Sequence, residues 1–175
     1  MPIVEEVKQK IRSINDFPKP GIVFKDITTA LKDAETLKKM VDFLAENFSG
    51  EKIDYIVGLE SRGFIFGVPV AYQLNAGFIP IRKPNKLPAK TIKESYQLEY
   101  GSDTIEMHED ALKKGDRVLI VDDLLATGGT AAAACNLVTK AGAEIVGCAF
   151  VIELVDLQGK NKLPKDCRIV SMLEY

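Results

Sequence analysis

The feature that most constrains the fold is an alternation of short apolar segments with stretches of helical hydrophobic spacing. Helical spacing is found in Phe64–Leu74 and Thr130–Ala141. Strand-like apolar segments lie at Ile53–Gly58, Phe78–Ile81, Val118–Val121, Glu144–Glu153 and Arg168–Leu173. Alternating strands and helices form parallel sheets that are covered on both faces. The sequence therefore predicts an α/β fold with a central, mostly parallel sheet flanked by helices, and ligands of such sheets bind at the carboxyl ends of the strands.

The beginning and the middle of the chain depart from this alternation. Apolar residues at helical spacing predict an amphipathic helix over about 3–15, and Asp33 is expected to cap a second helix. Pro69 is expected to interrupt the helix of residues 64–74 early. Residues 84–108, here called the lid segment, contain two predicted strands, Ser95–Tyr100 and Thr104–Met107. A long excursion from a compact domain is more often functional than structural.

The composition predicts a soluble globular protein. A length of 175 residues suits one domain spanning 1–175, and the formal net charge is −2. No basic stripe suggests a nucleic-acid partner, and no apolar run or signal-peptide pattern suggests a membrane, so the expected location is cytoplasmic. Three cysteines without metal-type spacing, Cys135, Cys148 and Cys167, are expected to be reduced, packed thiols. The single His108 is expected in an exposed loop.

The strongest chemical signal is the stretch Val118-Leu-Ile-Val-Asp-Asp-Leu-Leu-Ala-Thr-Gly-Gly-Thr130. An apolar strand delivers two carboxylates, Asp122 and Asp123, which can accept hydrogen bonds from a ribose diol. The small-residue loop that follows can aim backbone N–H groups and hydroxyls at one anion at a helix N-terminus. That loop consists of Ala126, Thr127, Gly128, Gly129 and Thr130. The alternative is a capped turn with two solvated aspartates.

Two other segments carry polar residues after predicted strands. The arginine loop, formed by Glu60, Ser61 and Arg62, offers backbone N–H groups and a planar guanidinium that suit a diphosphate. Its alternative is an acid–arginine pair that caps the helix at Phe64. Arg82, Lys83 and Lys86 form a short basic cluster, which is either a solvated loop or a second group of cations for an anionic ligand.

These motifs together resemble the type I phosphoribosyltransferases. The stretch from Asp122 to Thr130 resembles their phosphoribosyl-diphosphate signature. The likeness covers nearly the whole chain, since other segments follow in the family's order. They begin at Phe17 (Phe-Pro-Lys-Pro-Gly), Gly58 (Gly-Leu-Glu-Ser-Arg-Gly), Ile81 (Ile-Arg-Lys-Pro), Tyr96 (Tyr-Gln-Leu-Glu-Tyr-Gly) and Glu153 (Glu-Leu).

The resemblance implies an activity, and it is most specific for members that act on adenine. A 5-phosphoribosyl group would pass from 5-phosphoribosyl 1-diphosphate to N9 of adenine, giving AMP and diphosphate. Mg²⁺ would accompany the diphosphate without direct protein ligands, and a homodimer is implied. A 6-oxopurine acceptor (xanthine, hypoxanthine or guanine) stays open as an alternative. So does a non-catalytic regulator that senses phosphoribosyl diphosphate, although the near-neutral charge argues against it.

The resemblance also implies roles for residues that composition does not mark. Glu99 in the mobile lid segment would manage the proton at the purine ring, with Tyr100 and Tyr96 as further candidates. The arginine loop would hold diphosphate and contain a cis peptide at Glu60–Ser61, with Arg62 and Arg82 assisting catalysis. A small base-binding hood would come from residues 1–33 and the C-terminal segment. In it the base would lie against Val23, Phe24 and Lys25 and under Leu154.

Overall fold

A computed structural model describes residues 2–98 and 100–175. It divides into two compact units, one ending at Phe43 and one from Leu44 to Tyr175. The first unit contains helices α1 (Ile3–Lys10) and α2 (Thr28–Lys32), strands β1 (Arg12–Asn15) and β2 (Val23–Asp26), and the start of helix α3 (Ala34–Glu46). Asp33 caps α3 as predicted, since its Oδ1 accepts a hydrogen bond from the Thr36 amide at 2.8 Å.

The prediction of one helix over 3–15 is wrong. Helix α1 ends at Lys10, and residues 12–15 form β1, which pairs antiparallel with β2. The guanidinium of Arg12 donates to Asp26 from the opposite strand, with Nε 3.0 Å from Oδ2. Pairing of this kind depends on residues that follow later in the chain, up to Asp26, whereas the spacing of Ile11 and Ile14 is a local pattern that fits a helix equally well.

The second unit is built on a parallel sheet of five strands in the order β4-β3-β7-β8-β9. The sheet strands are β3 (Tyr55–Leu59), β4 (Gly77–Ile81), β7 (Arg117–Leu125), β8 (Glu144–Glu153) and β9 (Ile169–Glu174). Helix α4 (Arg62–Gln73) follows β3, and helix α5 (Gly129–Lys140) follows β7. The lid segment contains an antiparallel hairpin of β5 (Thr91–Gln97) and β6 (Ser102–His108). The predicted fold class is confirmed.

Burial of the central strands explains why their sequences are continuously apolar. Val118, Leu119, Ile120 and Val121 of β7 are fully buried. Val118 and Ile120 share one core cluster with Leu137 and Val138 of α5. Removing such residues from water stabilises a fold by about 1.5–3 kcal/mol each. The sheet is therefore a rigid base for the loops at its carboxyl edge.

Helix α4 and strand β7 differ from the sequence predictions. Helix α4 runs through Pro69 without a break from Arg62 to Gln73. Strand β7 continues to Leu125, because its last residues pair with Ile152 and Glu153 of β8. Asp122 and Asp123 therefore lie on the strand itself, and the connecting loop is shorter than the predicted Asp122–Gly129.

The remaining structural predictions concern His108 and the cysteines. His108 ends strand β6, partly buried, and its Nε2 lies 3.4 Å from the Ala89 amide, so the expectation of an exposed loop histidine is wrong. All three thiols are free, as expected. They are scattered in sequence and adjacent in space, with Cys148 Sγ 3.8 Å from Cys135 Sγ and 3.6 Å from Cys167 Sγ. Within residues 2–98 and 100–175, no helix has the length and apolar character to span a membrane.

Candidate active site

A cavity of about 220 Å³ opens at the carboxyl ends of β3, β4 and β7. It is lined by most of the residues predicted from the sequence. They are Glu60, Ser61, Arg62, Arg82, Lys83, Asp122, Asp123, Ala126, Thr127, Gly128, Gly129 and Thr130. The arginine loop, the small-residue loop and two members of the basic cluster, Arg82 and Lys83, thus face one space, because parallel strands present their carboxyl ends at the same edge of a sheet.

The small-residue loop has a main-chain geometry that requires glycine. Gly128 precedes α5 with φ +80, in the left-handed region. A Cβ at Gly128 would overlap the carbonyl oxygen of Gly159, in a 3-10 turn formed by Gly159–Lys162. The first amides of α5 have no helical acceptors of their own and carry the positive end of the helix dipole. The cavity wall formed by this loop is therefore suited to a phosphate.

The two aspartates lie side by side at the cavity floor. Asp123 is buried, and its Oδ2 lies 2.9 Å from Nε of Arg62 in the arginine loop. Burial, followed by repulsion from Asp123, raises the pKa of Asp122 well above its usual range. Burial also raises the pKa of Asp123, although Arg62 opposes that change. Hydrogen-bond donors or a cation entering the cavity would favour the ionised form of both acids.

The arginine loop approaches the basic cluster through Glu60. Arg82 donates from Nε to Oε2 of Glu60 at 3.1 Å and from Nη2 to Oε1 at 3.2 Å, and the Lys83 amide donates to Oε2 at 2.9 Å. Burial raises the pKa of Glu60, but the hydrogen bonds from Arg82 and the Lys83 amide outweigh it, so the net pKa is lowered. Glu60 pairs with Arg82 and Arg62 with Asp123, so the two residues do not form the alternative acid–arginine cap. The Glu60–Ser61 peptide bond is cis, as the resemblance implied.

Some predicted site residues lie away from the cavity lining. Lys86 is exposed, and its carbonyl oxygen lies 3.4 Å from Nη1 of Arg82. Tyr100 is exposed, and Leu154 is partly buried, with its amide 2.9 Å from the Leu125 carbonyl oxygen. Glu99 lies outside the described residues.

Val23, Phe24 and Lys25 form most of β2 in the first unit. Their extended backbone pairs with residues 13–15 of β1. Phe24 packs edge-on against Phe17, with ring centroids 5.2 Å apart. Val23 is exposed.

Two further residues that shape the site were not predicted from the sequence. Asp103 in β6 contacts Lys83 Nζ, and Gly159 packs against the small-residue loop. Neither belongs to a motif, since each acts through a partner distant in sequence. The only local signal was the predicted hairpin, which left Asp103 between its two strands, whereas in the structure Asp103 lies on β6 opposite Tyr96.

Comparison with known proteins gives a consistent class. A phosphoribosyl transferase domain model matches residues 28–174. The adenine phosphoribosyltransferase of Geotalea uraniireducens is 56% identical over 172 residues, which cover 98% of this chain and 100% of that protein. The structure of adenine phosphoribosyltransferase from Rhodothermus marinus has a TM-score of 0.94 at 54% identity and covers 99% of this chain and 98% of that one. The Saccharomyces cerevisiae enzyme has a TM-score of 0.91 at 41% identity, with 97% and 98% covered.

The chain therefore belongs to the phosphoribosyl transferase family. The relatives from Geotalea uraniireducens and Syntrophotalea carbinolica and the Rhodothermus marinus structure, which are 56%, 57% and 54% identical over at least 98% of this chain, are adenine phosphoribosyltransferases.

Proposed function

We propose that the protein transfers the 5-phosphoribosyl group of 5-phosphoribosyl 1-diphosphate to N9 of adenine, giving AMP and diphosphate. One observation supports this proposal: the arginine loop, the small-residue loop and two adjacent aspartates line the same cavity. The Saccharomyces cerevisiae relative was crystallised with adenine and an imino-altritol bisphosphate. A purine base beside a phosphorylated sugar analogue is the combination that this activity requires.

Three sets of cavity residues bind three parts of the substrate. The small-residue loop binds the 5-phosphate through main-chain amides, and Asp122 and Asp123 accept hydrogen bonds from the 2- and 3-hydroxyls. Arg62, Arg82 and Lys83 bind the diphosphate. As the bond to the leaving group loosens, negative charge grows on diphosphate and positive charge on the sugar. The side-chain cations stabilise the negative charge on diphosphate, and the carboxylates stabilise the positive charge on the sugar. Because these groups are already in place, they do so without having to reorganise.

Mg²⁺ is the cofactor that the fold family implies. The carboxylates of Asp122 and Asp123 are hard oxygen donors, which fit this ion, but Arg62 already engages one oxygen of Asp123. In the described part of the chain, no group of three or more His, Cys, Asp or Glu side chains is placed to hold a metal alone. As the family resemblance implies, Mg²⁺ would be held largely by the ribose hydroxyls and diphosphate oxygens of the substrate, beside Asp122 and Asp123. When bound there, it supplies positive charge to the departing diphosphate.

Recognition of the base is proposed for Val23, Phe24 and Lys25, with Leu154 as a second apolar contact. An extended backbone offers a carbonyl oxygen to the 6-amino group of adenine and an amide to N1. A 6-oxopurine presents the opposite donor and acceptor at these positions, so the same backbone disfavours it.

The purine assay tests the proposed function directly. Purified protein is supplied with Mg²⁺, phosphoribosyl diphosphate and, in turn, adenine, hypoxanthine, guanine and xanthine, and diphosphate release is measured. We expect release with adenine and formation of AMP. Turnover of a 6-oxopurine at the adenine rate or faster would overturn the choice of base, and binding without any turnover would favour a sensing protein.

Glu99 is proposed as the group that manages the proton at N9. A carboxylate in a site closed to water can take that proton or hydrogen-bond to the imidazole edge. We expect Glu99→Gln to lower kcat far more than it raises KM for phosphoribosyl diphosphate, measured by steady-state kinetics. An unchanged kcat would remove Glu99 from the chemistry.

A homodimer in the cytoplasm is the proposed form of the enzyme. Helix α4 exposes Ile65, Val68 and Tyr72, which lie at helical spacing on one side and would be costly to leave in water. The free thiols suit a reducing compartment. Analytical ultracentrifugation is expected to give twice the mass of one chain, and Val68→Asp is expected to lower it. A monomeric wild-type protein at assay concentration would contradict the dimer.

A further inference from the structure

One carboxylate oxygen in the lid segment contacts both a tyrosine of the same hairpin and a lysine of the basic cluster. Oδ2 of Asp103 accepts a hydrogen bond from the Tyr96 hydroxyl at 3.1 Å and also contacts Nζ of Lys83. Tyr96 and Asp103 face each other across β5 and β6. The ammonium lowers the pKa of Asp103, which keeps the carboxylate charged and the contact strong.

The other end of this connection reaches the small-residue loop. Thr130 Oγ1 donates a hydrogen bond to the Tyr96 hydroxyl at 3.0 Å. The Tyr96 ring lies against Gly129 so closely that a Cβ at that glycine would be 3.0 Å from its Cδ2. Lys83 and Thr130 both line the cavity, on different walls. The four side chains therefore form a polar connection from the wall that binds diphosphate to the wall that binds the 5-phosphate.

The hairpin does not need this connection for its own structure. The backbone ladder pairs all seven residues of β5 with those of β6. Glu94 docks the hairpin on α5, since it contacts Lys140 and its Oε1 accepts from Asn136 Nδ2 at 3.0 Å. Ser95 and Thr104 form a further cross-strand hydrogen bond of 2.8 Å on the exposed side. Tyr96 and Asp103 instead orient two side chains that line the cavity, Lys83 and Thr130.

We propose that Tyr96 and Asp103 are positioning residues for phosphoribosyl diphosphate. Asp103 holds the flexible Lys83 side chain at the cavity before substrate arrives, and Tyr96 links that position to the Thr130 hydroxyl. Because the long lysine side chain loses rotamer freedom when it binds an anion, fixing it beforehand improves affinity for the diphosphate. The inference rests on the proposed function. It adds two residues that affect substrate binding through Lys83 and Thr130.

The test compares Tyr96→Phe and Asp103→Asn with Ser95→Ala. Each of the first two removes one link of the connection, whereas Ser95→Ala removes a hydrogen bond of the same hairpin away from the cavity. Loss of one such hydrogen bond corresponds to about a fivefold change in an equilibrium constant. We expect KM for phosphoribosyl diphosphate to rise about fivefold or more in Tyr96→Phe and Asp103→Asn. KM for adenine and kcat should stay within about twofold, and Ser95→Ala should behave as wild type.

A double-mutant cycle separates positioning from a general loss of packing. If Tyr96 acts through Asp103 on Lys83, the effects of Tyr96→Phe and Lys83→Met on KM for phosphoribosyl diphosphate are not additive. Additive effects would overturn the inference, as would tighter binding by Asp103→Asn, which would mean that Asp103 competes with substrate for Lys83. Melting temperatures of all variants show whether folding is intact.

The outcomes distinguish this inference from the proposed function. If wild-type protein releases no diphosphate with adenine, the proposed function fails. If wild-type protein is active and Tyr96→Phe matches Ser95→Ala in KM, only the positioning role of Tyr96 and Asp103 is lost.

Discussion

Asp122 and Asp123 place two carboxyl groups at the end of one strand, where burial raises both pKa values and repulsion from Asp123 raises that of Asp122 further. A ligand-free acid of this kind holds its proton at a higher pH than an ordinary aspartate does. Ribose hydroxyls and Mg²⁺ favour the ionised form, so ligand binding should be coupled to proton release.

The coupling predicts how AMP affinity depends on pH. Because binding lowers a raised pKa, affinity for AMP with Mg²⁺ should rise as pH increases through the raised value, with at most about one proton released for each aspartate. Calorimetry in two buffers of different ionisation enthalpy measures the released protons. Asp122→Asn should release fewer protons, and its residual release comes from Asp123 and from the ionisation of AMP itself. Equal proton release by the variant and wild type would contradict the assignment.

The raised pKa of Asp122 makes the stability of the folded protein fall as pH rises, whereas it makes AMP affinity rise. A folded-state pKa above the unfolded value, which is about 3.9 for aspartate, means that the folded protein binds the extra proton. The contribution of Asp122 to stability is therefore full below the unfolded pKa and declines as pH rises through the folded one. Glu60 has a lowered pKa, so its contribution is present above the unfolded pKa and is lost as pH falls through the folded value.

Among the elements, the 3-10 turn of Gly159–Lys162 has a larger role than its length indicates. Its first residue fills the space beside Gly128, and a Cβ at Gly159 would overlap the carbonyl oxygen of Ala126. Both partners are backbone atoms of the small-residue loop, so neither can move aside without moving the loop. The turn thereby holds the amides that face the cavity.

Replacing Gly159 tests this support. Gly159→Ala should displace the small-residue loop, weaken AMP binding about tenfold or more and destabilise the fold by about 1–3 kcal/mol, the usual cost of overpacking. Gly50→Ala is a matched control, because a Cβ there meets nothing within 4 Å. Binding is measured by calorimetry and stability by urea unfolding. Wild-type AMP affinity in Gly159→Ala would show that the turn does not hold the loop.

Most elements could be predicted from local patterns, and the exceptions share a cause. The sheet strands and both loops follow from apolar runs and small residues. The strand at residues 12–15 and the extension of β7 to Leu125 depend on pairing with distant segments. Pro69 is tolerated within α4, although its local effect predicts a break. The contributions of Asp103 and Gly159 arise only when the hairpin and the C-terminal turn pack near the cavity.

At the scale of the whole molecule, the buried core brings three cysteines together from α5, β8 and the segment before β9. Cys148 is fully buried, and hydrogen bonds with Cys135 and Cys167, together with burial, raise its pKa well above the usual range. The hydrogen bond between Cys167 and Cys148 lowers the pKa of the partly exposed Cys167. Reactivity of a thiol depends on both its thiolate fraction and its access.

Thiol titration is expected to reflect this difference. In the folded protein, a disulfide reagent such as dithionitrobenzoate should modify Cys167 first, while Cys135 and Cys148 react only when the chain unfolds. Cys167→Ser should remove the fast phase. If this variant keeps a fast phase of equal size, the core is more open than the structure indicates.

The main-chain character of the small-residue loop has a consequence for how sequence variation affects the enzyme. Amide groups are common to every residue type except proline, so the proposed binding of phosphoryl oxygens is largely independent of the side chains in the loop. Substitutions that weaken this binding should instead map to positions that set the path of the backbone, including Gly128 and Gly159, which packs against it.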